Sequence, residues 1–271
     1  MKLLQYFLIL SVVMLMGLPL CAWGQELSQV VPADTFSTPH FRIMYERGIS
    51  LENVRGVADD IELIFGDFNA KVMLRLPKEI PTVLGSSFVG LMRRLSGRVE
   101  SPVFLIHDTL YIVSWNDAGI ARDRVLPLLR YAIAFTILDR GSTHGTPQWL
   151  MYGYALRYAN LGMSITPPPV AYMRSFDDFT EEGQQFISHR EAGNYNYLLL
   201  KAIDFLITRY GEQKFITLFT DIPSDKTLEE GFEKAFGEKY TTIEKAWRTY
   251  IDTQVGKSVP RKENEPKQQE K

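Results

Sequence analysis

The stretch "VLPLLRYAIAFTILDRGSTHGTPQWLMYGYALRYAN", from Val125 to Asn160, is apolar at nearly every position through Leu138. A surface helix carries one apolar stripe, whereas a helix that is apolar all round must be enclosed by other elements. The run falls short of the roughly 20 residues that a bilayer span needs, so a core helix is expected. "STHGTP" then reads as a turn, with Thr146 as a cap and Pro147 at the first position of a second helix. At 271 residues and 45% apolar content, the chain can wrap one large core or two modest ones around that pair. Arg130 is the single charge inside the apolar run. A guanidinium there must be paired or reach solvent, and Tyr131, Tyr152 or a carboxylate is the expected partner.

The surrounding elements follow from periodicity. "HFRIMYE" (His40–Glu46) alternates apolar residues at Phe41, Ile43 and Tyr45, as a half-buried strand does. A helix begins at Leu51 behind Ser50 as N-cap, with Val54, Val57, Ile61, Ile64 and Phe65 at helical spacing. "IPTVLG" (Ile80–Gly85) reads as a strand, "SSFVGLMRRLSG" as a short helix, and "SPVFLIHDTLYIVSW" as two strands around an Asp108-Thr109 turn. Beyond the quoted pair, "NYNYLLLKAIDFLITRYG" (Asn194–Gly211) is a helix closed by glycine. Shorter helices are expected around Phe215, at "LEEGFEKAFG" and at "TTIEKAWRTYI". Strands come first and helices dominate after Asp117, which favours an α+β domain over a doubly wound α/β one.

The N-terminus bears on location. A cationic Met1-Lys2, an apolar run from Phe7 to Leu20, and Ala22 and Gly24 at the −3 and −1 positions of a peptidase site mark residues 1–24 as a cleaved secretory signal. The chain is then exported, to the periplasm or another extracytoplasmic place. Two alternatives stay open. Leu3 to Leu20 approaches the length of an uncleaved anchor, and Cys21 offers a lipoprotein site, although Leu20 stands where a small residue is usual. Cleavage after Gly24 leaves no cysteine, so packing alone must hold the fold. Residues 25–38 read as a polar linker, 39–255 as the folded domain, and 256–271 as a charged, disordered tail. The formal charge is −2 and the pI about 6.1, with no basic stripe, which argues against nucleic acid as a partner.

Taken in order, these features resemble the gluzincin metallopeptidases, and within them the peptidase MA-like domains. The resemblance rests on "TPQWLMYGYALRY", on "YLLLKAIDFLITRYGEQKF" and "GFEKAFGEKYTTIEKAWRTYI" with Trp247, and on the early strand–helix–strand order. It runs from about His40 to Thr253. It implies an N-terminal twisted sheet with one or two helices, followed by a mainly helical half. In that family one helix carries His-Glu-x-x-His, and a second, opening Pro-x-Trp-Leu-x-Glu-Gly, brings the third zinc ligand. Here Pro147, Trp149, Leu150 and Gly153 match the second opening. Counting back from Pro147 at the family's spacing puts the first motif on "RYAIA". Arg130 then replaces the first histidine, Tyr131 the general base, Ala134 the second histidine, and Tyr152 the third ligand.

Catalytic zinc needs three protein donors with free lone pairs. Arginine stays protonated and alanine has no donor atom. No two of His40, His107, His144 and His189 share a helical turn. Without a metal-bound water, and with Tyr131 in the base position, this route to peptide hydrolysis has no nucleophile. The resemblance therefore implies a degenerate member without metal or cofactor. Arg130 is expected to bond Tyr152 as a plug, or to meet a peptide carboxylate in a remnant cleft. The function expected is an inactive, exported domain that binds a protein or peptide of the cell envelope or serves a structural role there. The alternative is a hydrolase using another site. Trp149 and Tyr154 are of the types favoured at recognition surfaces, with core packing as the competing reading. Ser87 in "GSSFVG" lacks the Gly-x-Ser-x-Gly pattern, and Asp177, Asp178, Glu181 and Glu182 read as solvated acids rather than a glycosidase pair.

Overall fold

In the computed structural model, residues 34–76, 78–89, 91, 101–106, 108–143, 145–161, 174–179, 189–220, 222 and 227–254 are described. The expected signal segment, the charged tail, the proline run at Pro167, and His107, His144, Glu181 and Glu182 lie outside the described residues. Strands occupy the N-terminal side: β1 (Asp34–Ser37), β2 (Phe41–Tyr45), β3 (Ile80–Gly85), β4 (Val103–Ile106) and β5 (Thr109–Val113), with α1 (Leu51–Val72) between β2 and β3. Helices follow: α2 (Trp115–Ala118), α3 (Arg122–Gly141), α4 (Gln148–Tyr158), a 3-10 turn (Phe176–Phe179), α5 (His189–Tyr210), α6 (Glu212–Thr220), α7 (Leu228–Phe236) and α8 (Tyr240–Gln254). The fold is mixed, a five-stranded sheet first and mostly helices after it.

The sheet has the order β1-β2-β3-β5-β4. Its three central strands run parallel, while β1 and β4 pair antiparallel at the edges. Sequence segregation alone did not indicate that parallel centre. Nor did it indicate β1, which lies in the stretch expected as linker. Phe36 is the only large apolar residue of that strand, and its place is fixed by backbone pairing with β2. On one face Phe41, Ile43, Ile80, Leu84, Leu110 and Ile112 belong to the main core, which also holds residues of α1 and α3. The alternate residues Val83, Tyr111 and Val113 turn to a smaller cluster with Leu91 and Phe104 on the other face, as the period of two requires.

Local signals explain the ends of α1. The Ser50 hydroxyl accepts the Asn53 N–H at 3.1 Å, and the helix stops at Met73, a left-handed residue whose N–H donates to the Asn69 carbonyl. The β4–β5 turn likewise places Asp108 at positive φ. Arg122 grips Asp60 through two nitrogens, one at 2.9 Å, and so fastens the start of α3 to the middle of α1. At the other end of α3, Arg140 donates to the carbonyls of Glu79 and Asp108, below the sheet.

Helix α4 is the hub of the helical half. Seven of its eleven residues are buried, among them Trp149, Leu150, Tyr154 and Leu156. The indole of Trp149 stacks on Phe179 at 5.3 Å and Phe176 at 5.8 Å, and Phe176 stacks in turn on Trp247 of α8. Tyr154 meets Phe68 of α1 and Phe215 and Phe219 of α6, and its hydroxyl donates to Glu212 at 3.0 Å. Gly153 permits a close approach of α4 to α5. A Cβ there would lie 2.7 Å from Ile203 Cγ1 and 3.0 Å from Leu199 Cγ, both on α5.

Candidate functional site

The seam between α3 and α4 holds the candidate residues Tyr131 and Tyr152. Its walls are held from outside: α3 by Asp60 and Arg140 as above, α4 by the turn before it. There Thr143 N–H donates to the Phe219 carbonyl at 2.9 Å, and the Thr146 hydroxyl donates to the Leu218 carbonyl at 3.2 Å. That bond corrects one expectation. Thr146 does not cap α4; its hydroxyl is spent on α6, Pro147 is the N-cap, and the helix begins at Gln148.

Inside the seam Tyr131 and Tyr152 meet edge to face, ring centroids 5.5 Å apart and planes nearly perpendicular at 86°. Tyr131 also stacks on Phe135, one turn along α3, at 6.1 Å. Tyr152 continues the row to Tyr195 of α5 at 6.5 Å and hydrogen-bonds Asn196. Burial, reinforced by Tyr152, pushes the Tyr131 phenol far above its ordinary value. Burial also raises Tyr152, with the Asn196 bond opposing it. Both phenols are therefore neutral at physiological pH and packed as rings.

The other expected members stand elsewhere. Ala134 is fully buried. Arg130 is exposed and makes no hydrogen bond or ion pair among the described residues. The expected bond from Arg130 to Tyr152 is not formed. Its charge acts instead on Tyr158, whose phenol burial and Asp67 raise and Arg130 lowers. The physical reason is plain: a residue that reaches water at the edge of α3 needs no partner in the seam. Phe135 is the residue that sequence reasoning missed. Tyr131 and Phe135, one turn apart on α3, stack on each other, and Tyr131 links the pair to Tyr152. The signal was present in the sequence as aromatics at i and i+4.

Trp149 and Tyr154 lie at 2% and 1% exposure, so both are core residues with no surface to offer. Asp178 accepts the N–H groups of Arg174 and Ser175 and thereby shapes the 3-10 turn, while Tyr240 donates to Asp177 at 3.4 Å. Ser86 donates both its N–H and its hydroxyl to Glu46, so the serine turn after β3 is tied to the end of β2. The donor set of the seam does not suit zinc: arginine, alanine, phenylalanine and two neutral phenols present no imidazole, thiolate or carboxylate. Among the described residues, no group of three or more His, Cys, Asp or Glu is placed to hold a metal ion.

A further polar cluster lies where the start of β2 meets α1. His40 Nδ1 lies 2.8 Å from Glu62 Oε2, and the His40 N–H and the Thr38 hydroxyl both bond the other carboxylate oxygen. Burial works against ionisation of Glu62, but the bonds from Thr38 and His40 outweigh it and hold the carboxyl below its ordinary range. The His40 ring stacks on Phe65 at 3.9 Å. No family model matches the chain, and no curated protein matches it.

Proposed function

We propose that this chain is a catalytically silent, gluzincin-like domain, exported through its N-terminal segment, that works by binding a protein or peptide of the cell envelope. The observation that carries the proposal is the aromatic stack of Tyr131, Phe135 and Tyr152. Two positions one turn apart on the first helix and one on the second are the geometry the family uses for three zinc ligands, and here all three are rings. The stack puts rings where metal donors would stand and leaves hydrolysis without a Lewis acid or an activated nucleophile. What remains for recognition is the sheet edge beside α3. Among the described residues strand β4 pairs only with β5, so its outer backbone groups point away from the sheet, and an extended peptide can add there as a further strand. Half-buried Phe104, Leu105 and Ile106 would supply the side-chain contacts.

Metal analysis of the purified chain tests the silent-site half of this reading. The expected result is zinc well below one per chain, with a melting temperature unchanged by chelator. One zinc per chain, removed by chelator with a loss of stability, would overturn it.

A further inference from the structure

Beyond the close contact at Gly153, the end of α4 and helix α5 part around a pocket of about 330 Å³. This is the small end of the range in which proteins enclose small molecules. Leu156, Leu161, Leu200 and Tyr197 make its walls apolar. Its charged lining consists of two cations and one carboxylate, and their pairing differs sharply. Arg157 is consumed: its Nε donates to Asp204 at 2.9 Å and its NH1 to Glu212 at 3.3 Å. Lys201 has only the face of Tyr197, 5.5 Å from its ammonium, and no carboxylate among the described residues. A helix C-terminus would ordinarily favour a cation here. At α4, however, the carbonyls of Ala155, Leu156 and Arg157 already accept the N–H groups of Ala159, Leu161 and Asn160.

We infer that this pocket binds an alkyl carboxylate, its chain against the three leucines and Tyr197 and its carboxylate on Lys201. An apolar cavity with one unmatched cation at its side favours a ligand with one anionic end and nothing else polar. A peptide fits less well. Its several buried amides would need partners, and with Arg157 and Asp204 bonded to each other, Asn160 is the one uncharged polar side chain of the lining besides the Tyr197 hydroxyl. The inference is independent of the silent-site reading, because no residue of the aromatic stack lines this pocket.

Calorimetric titration of the full chain with sodium decanoate tests it, with decylamine, decanol and the tripeptide acetyl-Leu-Leu-Leu as comparators. Decanoate is expected to bind saturably at one per chain, with amide shifts at Leu156, Leu161 and Tyr197 in the NMR spectrum. Lys201→Met, which keeps the aliphatic stem, should weaken it roughly tenfold or more, the scale of a charge-assisted bond. Lys201→Arg should retain binding. Four outcomes overturn the inference: no saturable decanoate binding, unchanged affinity in a folded Lys201→Met, decylamine or decanol binding as tightly, or the tripeptide binding more tightly than decanoate.

Discussion

The seam between α3 and α4 and the gap between the end of α4 and α5 are built on different principles. Toward α3 the space is filled by rings, Tyr131 against Tyr152 and Phe135, with the phenols kept neutral by burial. Toward α5 the helix backbones first come as close as a glycine allows and then part to leave a pocket with a charged lining. One helix need not meet its two neighbours with the same chemistry. Where packing is dense, a polar function has no room. Where it opens, water and small ligands can enter. The seam is thus packed with rings, and the gap at the end of α4 is open.

The comparison is broken most directly by overfilling or emptying each side. Trp149→Ala, which removes the indole stacked on Phe176 and Phe179, is expected to cost about 3–5 kcal/mol in denaturant unfolding. A loss near zero would mean that the hub is not α4. Gly153→Val should cost about 1–3 kcal/mol by driving its branched side chain into Ile203 and Leu199; a neutral result would show that α4 and α5 are free to separate. A double-mutant cycle on Tyr131→Ala and Tyr152→Ala should give a coupling of about 0.5–1.5 kcal/mol from the edge-to-face contact. Independent effects would deny that the seam is filled by this pair.

The same side should also show itself in alkali. Tyr131 and Tyr152 are raised in the fold from an ordinary value of 10.0, so the unfolded chain releases those protons first. Their contribution is complete below that value and is lost as pH rises through the folded values. Melting temperature should therefore fall above pH 10, and less steeply in Tyr131→Phe. Identical slopes would count against buried phenols. Smallest of all, Lys201→Met should change stability by no more than about 0.5 kcal/mol. A larger loss would make Lys201 a strut rather than a ligand's partner.

Much of the architecture was legible because it depends on local rules. Ser50, the Asp108 turn, the span Ile80–Gly85 and the glycine after α5 are each readable from one or a few residues. The capping box of Thr227 and Glu230, which starts α7, is likewise written in adjacent letters. What was not legible depends on partners distant in sequence. β1 is a strand only because β2 lies beside it, and Thr146 leaves its helix because Leu218 offers a carbonyl 72 residues away. The seam shows the same limit. The helix pair could be read, but a buried helix is apolar in every direction, so nothing in its pattern fixes which face meets the neighbour. Arg130 invited a role inside because it was the only charge, yet a long side chain at a helix edge reaches solvent. The pocket beside α4 had no sequence signature, since Leu156, Leu161 and Leu200 read as ordinary core.

Returning donors to the seam tests the account at its centre. In Tyr131→His, Ala132→Glu, Phe135→His and Tyr152→Glu combined, the three positions that now hold rings would carry two imidazoles and a carboxylate, with a base at position 132, and isothermal titration with zinc would be run beside the set built on Arg130, Tyr131, Ala134 and Tyr152. The account predicts that the first variant binds one zinc per chain and is stabilised by it, and that the second does not. A first variant that folds, as judged by circular dichroism, and takes up no zinc would contradict it.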